Sequence, residues 1–205
     1  MWMVSRKALI LFLALINSGC TQVVNKNTSA CDIFTKNFHW YRAVSKNEKK
    51  YGIPKSTTLA IIAEESNFNV HAKQKLSYLF GFIPWERQSS AIGYGQILNG
   101  GWNDYKKANK RMYASRKSFS DTVDYIGWYL DKASKRLHIK KTDTASLYLA
   151  YHDGIEGYRR SHRHLTKYQR FILNKVQKRQ EQYEIQSKQC EQSLNFWNHF
   201  YFWSR

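Results

Sequence analysis

The spacing of apolar residues constrains this chain more than any other feature. Between Phe119 and Leu137 they recur as Phe119, Val123, Ile126, Leu130, Ala133 and Leu137. Steps of three and four residues stack side chains on one face of an α-helix. No segment alternates apolar and polar residues over a sustained run, so the pattern predicts no half-buried sheet. Helices that are apolar on one side must bury those stripes against one another, which makes the expected class all-α. With 205 residues, 42% of them hydrophobic, the chain is long enough for one domain with a core of its own.

The same periodicity places the other helices. Ile33, Phe34, Phe38, Tyr41 and Val44 suggest a helix from Cys31 to Lys50, ended by Gly52 and Pro54. Ser56 is expected to cap a second helix reaching Ser66, with Leu59, Ile62, Ala63 and Ser66 inward. Shorter helices are expected at Trp102 to Ala108 and, capped by Thr142, up to Tyr151; Ser118 or Ser120 caps the one that ends at Leu137. His164 to Gln189 reads as a long basic helix with Leu165, Tyr168, Ile172, Val176 and Tyr183 on its inner side. Asn67 to Ser90 reads as a long loop, too aromatic to be disordered. No internal repeat is present.

The N-terminus carries a different message. Arg6 and Lys7 precede a wholly apolar run, Ala8 to Ile16, followed by Asn17, Ser18, Gly19 and Cys20. A basic start, a short apolar stretch and small residues make a signal peptide, residues 1–19; a spanning helix takes about 20 apolar residues. Cys20 after Ser18-Gly19 resembles a lipobox, with Asn17 where Leu is usual, so Cys20 is the expected lipidation site and ordinary cleavage the alternative. Thr21 after the cysteine implies sorting to the outer membrane. Residues 20–30 then form a polar tether. With Cys20 lipidated, Cys31 and Cys190 remain, and an oxidising compartment favours a bridge between them over two buried thiols. The formal charge of +18 drops by two when Arg6 and Lys7 leave with the leader. A surface that basic seeks an anionic partner: nucleic acid, an anionic membrane or an anionic cell wall, of which export favours the last two. The aromatic tail at 196–205 either seeks a membrane boundary or packs back on the core.

Three segments carry the chemistry: Ala63-Glu64-Glu65-Ser66-Asn67-Phe68, then Gly93-Tyr94-Gly95-Gln96-Ile97, then Ala150-Tyr151-His152-Asp153-Gly154. In this order they resemble the motifs E-S-x-F, G-L-M-Q-I and A-Y-N-x-G of the soluble-type (SLT) lytic transglycosylases, with their goose-lysozyme-like α fold. The resemblance covers residues 53–157, within a domain at 31–195 that adds N- and C-terminal helices. Three departures stand out: Tyr94-Gly95 replaces Leu-Met, His152 replaces Asn, and Leu76 to Arg87 is an added stretch.

The resemblance implies a peptidoglycan-cutting lyase with Glu65 as its acid. Physics agrees, because a carboxyl delivers a proton near neutral pH only if apolar surroundings raise its pKa. Glu65 lies one turn after Ile61 and Ile62, beside the expected core face, while Glu64 points about 100° away. By carry-over, Gln96 bonds the sugar's acetamido region, Gly93 and Gly95 let the backbone approach, Tyr151 orients Glu65, and Ser66 supports that network. Tyr94 and His152 complete the substrate-binding set. No second carboxylate is selected by spacing among Glu86, Asp104 and Asp153. Tyr41, Trp85 and Trp102 could stack on sugars or simply pack. His162-Arg163-His164 lacks the Cys or carboxylates of a metal site, so neither metal nor organic cofactor is expected. The expected partners are glycan strands and, through the lipid, a membrane, in the periplasm. The alternatives are a non-catalytic peptidoglycan-binding protein of the same fold, a hydrolytic lysozyme, and a nucleic-acid-binding protein, which the leader opposes.

Overall fold

A computed structural model describes residues 23–203 except 74–75, 80–82 and 88. The leader, Cys20 and the start of the tether lie outside the described residues. Helices dominate: α1 (Ala30–Lys36), α2 (Phe38–Tyr51), α3 (Lys55–Ser66), α4 (Asn99–Ala108), α5 (Phe119–Leu137), α6 (Thr144–Ser161) and α7 (Lys167–Trp203). Between α3 and α4 runs a hairpin of β1 (Leu76–Leu79) and β2 (Ile83–Arg87), antiparallel, with Leu76 opposite Arg87 and Leu79 opposite Ile83.

This hairpin corrects the expectation of an irregular loop at Asn67 to Ser90. Its register shifts between Leu76 and Tyr78, and Pro84 sits in a strand. Both features disguise the alternation by which a strand is read. The expected helix from Cys31 to Lys50 divides at Asn37, whose φ and ψ are −129° and 66°.

The caps also differ from expectation. Pro54 precedes α3, and the Ser56 hydroxyl accepts a hydrogen bond from Gln180 Nε2 (3.0 Å) instead of capping. Asp143, not Thr142, caps α6 by accepting from the Ser146 amide (3.0 Å). Ser118 caps α5.

Every residue of α3 from Ser56 to Ala63 is buried. The one-sided face expected for it is therefore wrong: α3 is the central helix, covered all round. Helices α2 and α7 pack against it. On α7 the buried positions are Leu173, Val176, Gln180, Tyr183, Ser187 and Leu194, mostly alternating steps of three and four. Tyr168, expected inside, is 70% exposed. The helix also runs on through the aromatic tail to Trp203, with Phe196 and Trp197 exposed. Cys31 of α1 and Cys190 of α7 form a disulfide, Cα atoms 5.8 Å apart. It ties the first helix to the last.

Candidate active site

The last turn of α3 is where the buried central helix meets a cavity of about 180 Å³. Glu64 and Glu65 enter it from α3, and Tyr148, Leu149 and His152 from α6. The first turns of α7 close it with Tyr168, Gln169 and Ile172. The helix stops at Asn67, in the left-handed conformation at φ 54°, with its amide bonded to the Ala63 carbonyl (3.1 Å).

The two glutamates meet different fates. Glu64 pairs with Lys175 of α7, Nζ to Oε1 2.7 Å. Among the described residues no cation is bound to Glu65, and its Oε1 is closed off from solvent with no hydrogen-bond partner. Burial pushes the Glu65 carboxyl up to about 7. A charge on His152 and the Tyr148 hydroxyl pull it back down, and the Glu64 charge adds to the rise. Its place at the negative end of the α3 dipole acts in the same direction as burial. A carboxyl held this way keeps its proton near neutral pH and can still give it up, as a general acid must.

Helix α6 lines the opposite wall. Tyr148, Tyr151 and His152 are three and four residues apart and share a face. The Tyr148 ring lies 5.9 Å from that of His152. The Tyr151 hydroxyl donates to the Gly95 carbonyl (2.7 Å). A Cβ on Gly95 would come within 2.9 Å of that hydroxyl and 3.0 Å of Thr122 Cγ2, so glycine is what lets the loop approach α6. Tyr151 is electrostatically coupled to Glu65, and burial raises its pKa well above that of a free tyrosine. His152 is exposed at the rim, Nδ1 2.7 Å from Asp153 Oδ1. Gly154 breaks the helix just beyond, at φ 78° and ψ 163°.

The loop bearing the second motif is a support. Gln96 donates from Nε2 to the carbonyls of Ala72 (3.1 Å) and Gly93 (2.9 Å), so both its amide hydrogens serve the loop. Gly93 has φ 75°, and a Cβ there would fall 2.3 Å from the Arg116 carbonyl oxygen. Arg116 in turn donates to the carbonyls of Ile97 (2.7 Å) and Ser90 (3.0 Å). Tyr94 packs against Trp40 and Phe119, ring centroids 5.6 and 5.4 Å apart. Ser66 turns its hydroxyl back to the Ile62 carbonyl (3.2 Å). The structure thus brings Glu65 and His152 to one cavity with Tyr151 behind it, and leaves Ser66, Gly93, Tyr94 and Gln96 in the layer that shapes the site.

The remaining candidates sort cleanly. Tyr41 and Trp102 are core residues, and the Trp85 and Glu86 side chains lie outside the described part. Asp104 is exposed on α4. Asp153 is bound to His152 and to Gln169. His162 stacks on Tyr158, ring centroids 4.8 Å apart. Among the described residues no three His, Cys, Asp or Glu side chains cluster as metal ligands.

Sequence reasoning missed Tyr148, Tyr168 and Lys175. Tyr148 had a signal, lying one helical turn before Tyr151. Lys175 had none, being 111 residues from Glu64. A family model described as "Transglycosylase SLT domain" matches residues 8–190. Among curated proteins, none matches the chain.

Proposed function

Because the chain belongs to the transglycosylase SLT domain family, whose model spans most of its length, we propose that the Glu65 cavity cuts the β-1,4 bond between N-acetylmuramic acid and N-acetylglucosamine in peptidoglycan. Membership makes it a transglycosylase-type enzyme with a lysozyme-like α fold that binds peptidoglycan. The observation that carries the finer reading is the Glu65 carboxyl, its Oε1 closed off from solvent and its pKa raised to about 7, while its neighbour Glu64 is tied to Lys175.

In this reading Glu65 gives its proton to the glycosidic oxygen as the bond to C1 breaks. The substrate's own acetamido group stabilises the positive charge at C1, which is why no second carboxylate is required. The carboxylate left at position 65 then takes the proton of the C6 hydroxyl, and that oxygen closes on C1 to give a 1,6-anhydro ring. The same side chain acts first as acid and then as base, and its pKa near neutrality suits both tasks. No water is consumed. Tyr148 steadies the carboxylate form, and Tyr151 fixes the loop behind it.

Digestion of purified sacculi tests this. Mass spectrometry of the fragments is expected to show anhydro ends, lighter by one water than hydrolytic ends. Hydrolytic ends would make the enzyme a lysozyme, and no fragments at any pH would make it a binding protein. Either outcome rejects the reading.

The leader and Cys20 support export and lipid anchoring at the periplasmic face of the outer membrane. Replacing Cys20 by Ala should move the protein from the membrane to the soluble fraction. Retention in the membrane would sink that part alone.

A further inference from the structure

Tyr168 is a large aromatic side chain that the fold leaves 70% exposed, yet it lines the same cavity as Glu65. It lies beyond the motif core at 53–157, so the resemblance assigns it no role. Its position is built. Thr166 caps α7, its hydroxyl accepting from the Gln169 amide (3.1 Å), while Gln169 Oε1 accepts from the Thr166 amide (2.9 Å). This reciprocal pair is a capping box that stiffens the first turn of α7. Gln169 Nε2 also donates to Asp153 Oδ2 (2.9 Å), bolting that turn to α6 beside His152. Tyr168 therefore starts from a doubly held backbone. One turn further along α7, Ile172 lines the cavity and adds an apolar surface.

We infer that Tyr168 is a sugar-stacking residue of this site, its ring a platform for the apolar C–H face of a pyranose in the glycan strand. An exposed tyrosine gains nothing from the fold and presents a flat apolar body with a polar tip. A hexose offers the complement, C–H bonds on its faces and hydroxyls at its edge. Tyr41 and Trp102 are buried in the core and cannot reach a strand. Helix α7 thereby adds a wall to the cleft that α3 and α6 begin. The inference rests on the glycan-cutting reading for the identity of the ligand, but its binding arm does not need turnover.

The experiment uses the full mature chain and purified peptide-free glycan strands. Phe171→Ala is the control: Phe171 is 64% exposed one turn into the same helix and is not part of the cavity wall. In steady-state digestion, Tyr168→Ala should raise KM about tenfold, the factor that ~1.4 kcal/mol of lost contact carries, with kcat within about twofold. Tyr168→Phe and Tyr168→Trp should stay near wild type, and Phe171→Ala should match it. In the Glu65→Gln background, sedimentation with glycan strands should show binding that Tyr168→Ala weakens by the same factor. An unchanged KM and affinity in Tyr168→Ala overturns the inference, as does an equal loss in Phe171→Ala. If wild type fails to cut while the binding arm behaves as expected, the catalytic reading falls and the stacking residue stands.

Discussion

At the scale of single residues, the site depends on one carboxyl and what surrounds it. Glu65 is raised to about 7 chiefly by burial, and the sign of the consequence can be worked out. Below pH 4.5 the carboxyl is neutral in both the folded and the unfolded chain, and burying it carries no charge penalty. Between pH 4.5 and about 7 the unfolded chain releases the proton that the folded carboxyl still holds, so stability falls across that window and levels off above about 7, where the folded protein holds a desolvated charge. Glu65→Gln removes the ionisation. The variant should therefore abolish activity and, at pH 8, be more stable than wild type by about 3 kcal/mol, a gap that closes at pH 4.5. Chemical denaturation at the two pH values measures it, and equal stabilities at pH 8 would show a solvated carboxyl. Glu64→Gln acts through the same group. Removing the neighbouring charge, and leaving Lys175 unpaired nearby, both favour the Glu65 carboxylate. The alkaline limb of the kcat/KM profile should move to lower pH, and a limb that stays put would show that Glu64 does not act on Glu65.

At the scale of elements, the site is a meeting of helices α3, α6 and α7, backed by the loop that carries Gly95. The Tyr151–Gly95 hydrogen bond joins α6 to that loop. Gly95→Ala places a Cβ against the Tyr151 hydroxyl and Thr122, and overpacking of this kind costs about 1–3 kcal/mol. The expected result is a lower melting temperature together with a fall in kcat, because the loop and α6 no longer close behind Glu65. A variant with wild-type kcat would show that the joint serves stability alone. The elements themselves were largely legible. Helix α5 follows its apolar spacing and its Ser118 cap as expected, since both signals are local. The hairpin at Leu76–Arg87 was not, because a bulge and a proline hide a short strand. The inner face of α7 was misplaced at its start, where Tyr168 lines a cavity that the periodicity of one helix cannot reveal.

At the scale of the whole molecule, the disulfide joins residues 159 apart in the chain. Closing so long a loop restricts the unfolded ensemble by about 5 kcal/mol in the chain-entropy estimate. Reduction should lower the urea midpoint substantially, and Cys31→Ser should do the same without reductant. Midpoints that do not differ between oxidised and reduced protein would mean that the bridge contributes nothing to the fold. The joint also bears on function, because α7 supplies both Cys190 and the wall of the cavity.

What the amino-acid sequence determined by itself was the helical periodicity and the order of the short motifs. Apolar spacing made the chain helical, and Glu65-Ser66, Gly-Tyr-Gly-Gln and Ala-Tyr-His stood in an order that pointed to one acid. Only the tertiary structure decided which glutamate would stay unpaired, which side chains would merely hold the loop, and which aromatic would face the cavity. The reason is physical. A pKa and an exposure depend on which groups replace water around an atom, and here Lys175 and Tyr168 come from a helix that begins a hundred residues downstream of Glu65.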